Sequence, residues 1–167
     1  MKNARIAMAG CALVAAFGLA GCGSSGGGGT TSKDSSTTSK DSSTLSTRDS
    51  SLGRILVDGK GRTLYLFTSD GKNSNSMKCD AKCVKEWPHM KGKPKAGAGA
   101  EANLIATTKG SGTPQATYAG HPLYYYADDE KAGDVKGQGI DQIWYVLDSH
   151  GNAIKKPAPG NGGDSGY

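Results

Sequence analysis

The chain has 167 residues and a formal net charge of +5, and 35% of its residues are hydrophobic, against a usual share of about 45–50%. It contains 26 glycines, and Ser, Thr and Asp crowd its first third. This composition is too polar for a packed core of that length, so part of the chain is predicted to be tail or linker. The only long apolar stretch lies at the N-terminus, which excludes a multi-span membrane protein. The chain is also too short for a large α/β enzyme.

The first 21 residues are predicted to be a secretory signal peptide. Lys2 and Arg5 precede 16 residues, 6–21, that are apolar or small and carry no charge. A helix needs about 20 such residues to span a bilayer, so this stretch fits a signal peptide better. It ends in Leu-Ala-Gly-Cys, which resembles the lipobox of bacterial lipoproteins. The resemblance implies cleavage before Cys22, acylation of that residue and anchoring to a lipid membrane outside the cytoplasm. Because Gly23 is no retention signal, this would be the outer membrane if the cell has one.

Residues 22–51 are predicted to be a flexible, lipid-anchored linker. They are almost entirely Gly, Ser, Thr, Lys and Asp, and Ser-Lys-Asp-Ser-Ser-Thr at 32–37 recurs at 39–44. Such a composition cannot bury enough surface to offset the entropy of ordering. Its Lys and Asp charges cancel, so it is not expected to bind nucleic acid. We therefore predict a folded domain at 52–157 and a disordered tail at 158–167.

The folded domain is predicted to be mainly β. Its β-rich runs are separated by turns rich in Gly, which is a hairpin signal. These runs lie at 54–58, 63–67, 104–108, 116–126 and 143–154. The one helical candidate runs from about Asp80 to Trp87, because Pro88 stops it. We expect a small antiparallel sandwich or barrel-like sheet built from two related hairpin repeats, with one short helix at the Cys-x-x-x-Cys segment.

One sequence motif, Tyr-x-(Phe/Tyr)-x-x-Asp, occurs twice in this domain. Its residues are Tyr65, Phe67 and Asp70 in the first copy, and Tyr124, Tyr126 and Asp129 in the second. Cys-x-x-x-Cys-x-x-x-Trp-Pro follows the first copy, and Trp-Tyr-Val follows the second. In these features the chain resembles bacterial secreted-repeat lipoproteins, a family of unknown function defined by this motif. It departs from the family at His89 and Met90, where members usually have Pro and an aliphatic residue.

Three interpretations of the repeated motif are open. On a strand, Tyr65 and Phe67 share one face, as do Tyr124 and Tyr126. Each Asp comes just past the strand end, where its carboxylate can cap a turn or accept a phenol hydrogen bond. The favoured interpretation is a pair of core aromatic ribs with turn-capping aspartates. The alternatives are an aromatic groove that stacks a planar ligand and a tyrosine relay for electrons.

Two cysteines remain after processing and lipidation, Cys79 and Cys83. In an oxidising compartment an isolated pair favours a disulfide, although a small loop should contribute only about 2 kcal/mol. Metal binding is the alternative, because Met77, His89 and Met90 lie within the same 14 residues. Thiolate and thioether ligands favour copper(I), and imidazole is tolerated. No cofactor is predicted beyond this open possibility of copper.

Function is predicted only by class. No Ser-His-Asp or Cys-His arrangement can be nominated, so an enzyme is not expected. Seven lysines between residues 72 and 95 stand against only Asp80 and Glu86, a basic segment suited to an acidic protein partner or an anionic surface. It lacks the interleaved aromatics of a nucleic-acid site. We expect a membrane-anchored, non-catalytic binding or structural module of the cell envelope. The alternative is a redox or copper-handling lipoprotein of an extracytoplasmic electron-transfer chain that uses Cys79 and Cys83.

Overall fold

A computed structural model of the chain describes residues 41–73, 78–109 and 113–159. The predicted signal peptide, Cys22, residues 23–40 of the predicted linker, Met77 and most of the predicted tail lie outside these ranges. The described residues belong to one compact unit. Within them, no helix has both the length and the apolar character needed to cross a bilayer.

Short strands dominate the fold, which confirms the prediction of a mainly-β domain. The elements in chain order are β1 (Thr44–Ser50), β2 (Gly53–Asp58), β3 (Tyr65–Phe67), α1 (Cys83–Glu86), β4 (Lys95–Ala96), β5 (Ile105–Thr107), β6 (Ala116–Tyr118), β7 (His121–Pro122) and β8 (Trp144–Val146). Short 3₁₀ turns occupy Thr68–Asp70, Ala102–Leu104 and Ile140–Gln142. The single turn of α-helix lies at the predicted Cys-x-x-x-Cys segment and ends before Trp87.

The strands form three small sheets. The first has the order β2-β1-β4, in which β1 pairs antiparallel with β2 and parallel with β4. The second is the antiparallel pair β3-β8, and the third is the antiparallel set β5-β6-β7. The described strands do not close into a barrel.

The structure corrects the C-terminal boundary of the predicted linker. Strand β1 lies inside residues 22–51, and all six residues from Leu45 to Ser50 pair with β2. The side chain of Leu45, which belongs to β1, is fully buried. Composition alone predicts disorder for this segment because it has few apolar side chains. Hydrogen bonds to the backbone of β2, together with the burial of Leu45, stabilise it as a strand.

The predicted hairpins are present in part. The turn after β2 is closed by the Asp58 N–H to Arg62 carbonyl bond of 2.9 Å, but the ladder partner of β3 is β8 rather than β2. The second hairpin forms between β6 and β7, and β7 is only two residues long. In the third, Leu147 bridges Ala153 after β8 ends. All three predicted hairpins thus pair across their turns, and the first and third also pair with each other through β3 and β8.

The two repeats are intertwined rather than side by side. In the first repeat, the motif strand β3 pairs with β8 of the second, which places Phe67 opposite Trp144. In the second repeat, the motif segment pairs with the residues on either side of Trp87 in the first. There the Ala127 N–H bonds the Glu86 carbonyl at 2.9 Å, and the Tyr125 N–H bonds the Pro88 carbonyl at 2.8 Å.

The two motif segments meet at their tyrosines. Tyr65 and Tyr124 exchange both backbone hydrogen bonds, at 2.9 and 3.0 Å, as an antiparallel bridge. Because each motif also pairs with the Trp segment of the other repeat, the backbone arrangement around this bridge has an approximate two-fold relationship. The strand pairing of both motifs therefore runs between the repeats.

Two clusters of buried side chains form the core. One contains leucines from both repeats together with Met90, Tyr118 and Tyr145. The other contains both motif tyrosines, both tryptophans and Cys79. The second cluster thus collects most of the residues that the sequence motifs single out.

Candidate functional site

The side chains of the two motifs are bonded crosswise. The phenol of Tyr65 donates to Asp129 Oδ2 at 2.6 Å, and the phenol of Tyr124 donates to Asp70 Oδ2. Each tyrosine thus uses the aspartate of the other repeat. The sequence predicts phenol-accepting aspartates, but it does not tell which tyrosine each one serves.

Each motif aspartate also accepts a backbone hydrogen bond from a lysine that follows it. The Lys78 N–H bonds Asp70 Oδ1 at 2.6 Å, and the Lys136 N–H bonds Asp129 Oδ1 at 2.9 Å. Asp70 is 3% exposed, whereas Asp129 is half-buried. Both carboxylates are therefore held by two donors, and this stabilises them away from bulk water.

Burial sets the protonation of this network. It raises the pKa of Tyr65, with the nearby Asp129 as the next cause, and it raises the pKa of Tyr124, with the hydrogen bond to Asp70 as the next cause. Burial also raises the pKa of Asp129, against the opposing hydrogen bond from Tyr65. Both phenols consequently stay protonated at neutral pH and act as hydrogen-bond donors.

Four aromatic rings stack in a column beside these hydrogen bonds. Trp87 and Trp144 lie at its centre, 3.8 Å apart and 1° from parallel. Phe67 stacks on Trp144 at 4.3 Å and 9° from parallel, and the Tyr126 ring lies against Trp87 at 4.5 Å with a tilt of 34°. Each tryptophan is 3% exposed, and the two end rings are partly exposed. The column therefore reaches towards the surface at both ends.

The motif tyrosines contact the column edge-on. Tyr65 meets Trp87 at 5.4 Å and 79°, and Tyr124 meets Trp144 at 5.2 Å and 84°. Such edge-to-face contacts suit the charge distribution of aromatic rings. Because both tyrosines are fully buried, they cannot line a groove for a planar ligand, and the groove interpretation fails at these two positions. The interpretation as core ribs agrees with their position.

Gly137 packs against the rings of Trp87 and Tyr65. Its N–H contacts the Tyr65 phenol oxygen at 3.3 Å. A Cβ atom at this position would lie 2.8 Å from Trp87 and 3.0 Å from Tyr65. Glycine is required here because the two rings leave no space for a side chain.

Cys79 and Cys83 are joined by a disulfide, as predicted. The Cα atoms are 5.2 Å apart, within the usual range for a disulfide. Cys79 is buried in the same cluster as Trp87, and Cys83 is partly exposed at the start of α1. The bond ties the loop before α1 to the helix that positions Trp87.

The proposed copper ligands are not gathered at one place. The thiols are consumed in the disulfide, and Met90 packs in the leucine-rich cluster rather than with Cys79. His89 lies edge-on to Tyr124 at 5.2 Å. Within the described ranges, no group of three or more His, Cys, Asp or Glu side chains is placed to hold a metal ion. Copper binding by Cys79, Cys83, His89 and Met90 therefore stays a prediction for the reduced protein.

The lysines of the 72–95 segment are all solvent-exposed. They follow Asp70, flank α1 and continue into β4, so they lie on several elements. The lysines of this segment are therefore accessible to solvent, and the binding of an acidic partner or an anionic surface by them stays a prediction.

Sequence reasoning missed a buried polar cluster at the first turn. Asp58 is 1% exposed and accepts bonds from the backbone of Lys60 and Arg62, both at 2.9 Å. The Arg62 guanidinium pairs with the same carboxylate at 3.0 Å and lies 3.9 Å from the centre of the Tyr125 ring. An Asp that opens a Gly-rich turn was the available signal, because such side chains bond the backbone that follows.

Together these features define a class: a mainly-β domain of two intertwined repeats, locked by tyrosine–aspartate bonds and an aromatic column. A family model described as a secreted repeat of unknown function matches residues 46–91 and 106–148, together more than half of the chain. The chain belongs to this family, and a secreted repeat is an extracytoplasmic one. Neither the curated proteins nor the solved structures contain a match to the chain.

Proposed function

We propose that this protein is a lipid-anchored lipoprotein whose folded domain is a non-catalytic binding or structural module of the cell envelope. The observation that carries the proposal is the crosswise bonding of the two motifs. The polar groups of the motif form hydrogen bonds with each other: Tyr65 bonds Asp129, and Tyr124 bonds Asp70. A motif used in this way builds a rigid domain, because its phenols and carboxylates bond each other across the two repeats.

The anchor is proposed from the Leu-Ala-Gly-Cys signature that ends at Cys22. Acyl chains on that cysteine would hold the protein stably, because each buried CH₂ contributes about 0.8 kcal/mol and such a residue carries more than one chain. The residues between the anchor and β1 would set the distance between the membrane and the domain. The exposed lysines of the 72–95 segment would then face an acidic protein or an anionic surface.

Fractionation and mass spectrometry test the anchor. Cys22→Ala should move the protein from membranes to the soluble fraction and abolish the acyl mass. Cys11→Ala is the matched control, because Cys11 lies in the signal peptide that cleavage would remove. It should leave both readouts unchanged. A wild-type protein without acyl mass, together with a Cys22→Ala variant that still pellets with membranes, would refute the proposal.

A second candidate is a redox or copper-handling lipoprotein that uses Cys79 and Cys83. It is favoured by the position of the disulfide, whose Cys83 end is partly exposed beside Lys82 and Lys85. Cationic neighbours favour a thiolate once the bond is reduced, which suits both thiol exchange and copper(I). In this candidate Cys79 and Cys83 form a redox-active or metal-binding pair rather than a structural disulfide.

Equilibration with glutathione buffers separates the two candidates. A structural disulfide should have a potential below about −300 mV, whereas a working one lies higher. Alkylation followed by mass measurement gives the oxidised fraction, and titration of the reduced protein with copper(I) gives the metal stoichiometry. A pair that stays oxidised in strongly reducing buffer removes the redox candidate.

A further inference from the structure

The aromatic column links the surface to two buried tyrosine–aspartate pairs. Trp87 and Trp144 are the only tryptophans in the chain. Each is in van der Waals range of the other, of one buried motif tyrosine and of one partly exposed ring. No gap wider than a ring contact separates the surface ring of Tyr126 from Tyr65 or Tyr124. Electrons tunnel readily over such short steps between rings in contact.

Each buried phenol also has a base in place. Oxidation of a phenol makes it strongly acidic, so the loss of an electron is favoured where a hydrogen-bonded acceptor takes the proton. Asp129 and Asp70 provide that acceptor for Tyr65 and Tyr124. The surface ring has one too, because the Tyr126 phenol donates to Asp128 Oδ2 at 3.2 Å. The three tyrosines that belong to the column or contact it, Tyr65, Tyr124 and Tyr126, thus each pair a phenol with a carboxylate; their hydroxyl groups are called the column phenols below.

We propose that these rings form a one-electron relay, in which Tyr126 exchanges electrons with a partner at the surface and the buried Tyr65 and Tyr124 store the oxidising equivalent. The relay is an activity beyond the envelope role proposed above, and it depends neither on the lipid anchor nor on the disulfide.

The electron and proton balance closes within the domain. A one-electron oxidant, such as a peroxide-derived radical, takes an electron from Tyr126, and the phenol proton moves to Asp128. The Tyr126 phenoxyl then recovers an electron through Trp87 and its proton from Asp128. Trp87 takes its electron from Tyr65, whose proton crosses to Asp129. The net change is a reduced oxidant, a Tyr65 phenoxyl and a neutral Asp129.

The reverse path repairs the radical. A quinol at the surface gives one electron to the column and releases one proton to water, which leaves a semiquinone. The electron reaches Tyr65 by way of Tyr126 and Trp87, and the proton returns from Asp129 to the phenol. The domain then returns to its starting state.

The two ends of the column differ in a way that gives the relay one terminus. Tyr126 caps the Trp87 side and is oxidisable, whereas Phe67 caps the Trp144 side and has no phenol. Exchange with the surface is therefore expected at the Tyr126 end. The same difference supplies a matched pair of variants, because one phenol can be removed and another added at equivalent positions.

Flash photoionisation of the full-length mature protein tests the relay. Light at the red edge of the tryptophan band oxidises only Trp87 and Trp144. Nitrous oxide converts the ejected electrons to hydroxyl radicals, and tert-butanol scavenges these before they reach the protein. The tryptophan radical should convert to a tyrosine phenoxyl in a first-order step that is independent of protein concentration. Removing all three column phenols, in Tyr65→Phe/Tyr124→Phe/Tyr126→Phe, should abolish this conversion. Tyr118→Phe is the control, because its phenol bonds the Ser149 carbonyl in the other cluster.

The role of the base is tested where Tyr65 is the only column phenol. In the Tyr124→Phe/Tyr126→Phe background, Asp129→Asn keeps an oxygen that accepts the hydrogen bond but cannot take the proton at neutral pH. Phenoxyl formation should slow by about 100-fold or more, the typical contribution of a positioned base. An unchanged rate in a variant with native near-ultraviolet circular dichroism would overturn the proton transfer to Asp129.

The terminus is tested with hydroquinone as the quinol. Tyr126→Phe should slow the quenching of the phenoxyl by hydroquinone, and Phe67→Tyr should speed it by opening a second end. Both changes keep a ring in the stack, so folding is retained. The relay is overturned if conversion scales with protein concentration or survives removal of the three phenols. The assignment of the terminus is overturned if neither end variant changes the quenching rate.

Discussion

Tyr65 donates its phenol hydrogen bond to Asp129, a residue 64 positions further along the chain, at 2.6 Å. The equivalent bond from Tyr124 to Asp70 runs the other way. Neither repeat can satisfy its own motif, because each aspartate has its phenol partner in the other repeat. The repeated motif is therefore a lock between two halves, and a single repeat would leave a buried phenol without its partner.

The first prediction concerns this lock. Tyr65→Phe removes the phenol but keeps the ring against Trp87, so the half-buried Asp129 loses a donor. We expect a loss of about 1–3 kcal/mol in the free energy of unfolding, the usual cost of leaving such a group unpaired. Asp129→Ala should cost a similar amount, and the double variant should cost less than the sum of the two, because the residues are coupled. Urea unfolding at constant m-value measures all three.

Tyr126→Phe serves as the control for that series. Its phenol bonds the exposed Asp128 at 3.2 Å, and its ring stays in the stack. Loss of this exposed contact should change stability by no more than about 0.5 kcal/mol. Additive losses in the Tyr65 and Asp129 cycle would show that the two side chains do not act together.

The second prediction concerns Gly137. Gly137→Ala places a Cβ 2.8 Å from Trp87 and 3.0 Å from Tyr65, and both rings are buried between other side chains. Overpacking of this kind typically costs about 1–3 kcal/mol. The near-ultraviolet circular dichroism of the two tryptophans should also change, because Trp87 has to move. Gly137→Val should lower the free energy of unfolding further. If neither variant loses stability, Trp87 and Tyr65 can move apart at this point without cost.

Local sequence signals predicted the elements well and their partners poorly. A β-rich run before a Gly-rich turn placed β2 correctly, and Pro88 placed the end of the helix, because both are short-range effects. Strand β1 escaped prediction because a single buried leucine and a long backbone ladder stabilise it, and the ladder depends on a partner. The choice of β8 rather than β2 as the partner of β3 is likewise a long-range matter that no turn residue encodes.

The sequence predicted which residues belong to the candidate site, but not which of them contact each other. Spacing placed Tyr65 with Phe67 and Tyr124 with Tyr126, and the position of Asp70 and Asp129 past the strand ends allowed either a turn cap or a phenol bond. The crossing of those bonds, and the stacking of Trp87 on Trp144, require the two repeats to be superposed in space. Periodicity carries no information on that superposition, so the column could not be foreseen.

The third prediction concerns the disulfide. The bond between Cys79 and Cys83 closes a very small loop, so it removes little entropy from the unfolded chain and should contribute about 2 kcal/mol. Cys79→Ser/Cys83→Ser should therefore still fold, with that loss in urea. A reductant should destabilise the wild type by the same amount and leave the double variant unaffected, which provides the internal control. A double variant that fails to fold would show that the bond organises α1 and not merely the unfolded state.

The fourth prediction rests on His89, which is partly buried beside Tyr124. Its Nε2 atom is buried, and the described part of the chain offers it no hydrogen-bond partner. Burial lowers the pKa of His89, helped by the charge of Lys91 and opposed by that of Asp70. Burial also lowers the pKa of His121, with Lys72 as the second cause. Both imidazoles are therefore neutral in the folded state at a pH where the unfolded chain would bind protons.

The sign of the pH dependence follows from this. A histidine with a lowered folded pKa stabilises the fold fully above its unfolded value of 6.5, and the contribution is lost as pH falls through the folded pKa. The free energy of unfolding should thus decrease between about pH 7.5 and about pH 5. His89→Leu should flatten this slope and raise stability at the acidic end by about 1 kcal/mol or more, because an unpaired buried nitrogen is replaced by an apolar group. His121→Gln should reduce the slope as well, because the pKa of His121 is lowered by burial too. Urea unfolding across this pH range decides the matter: an unchanged slope in His89→Leu would mean that its imidazole is solvated in the folded protein.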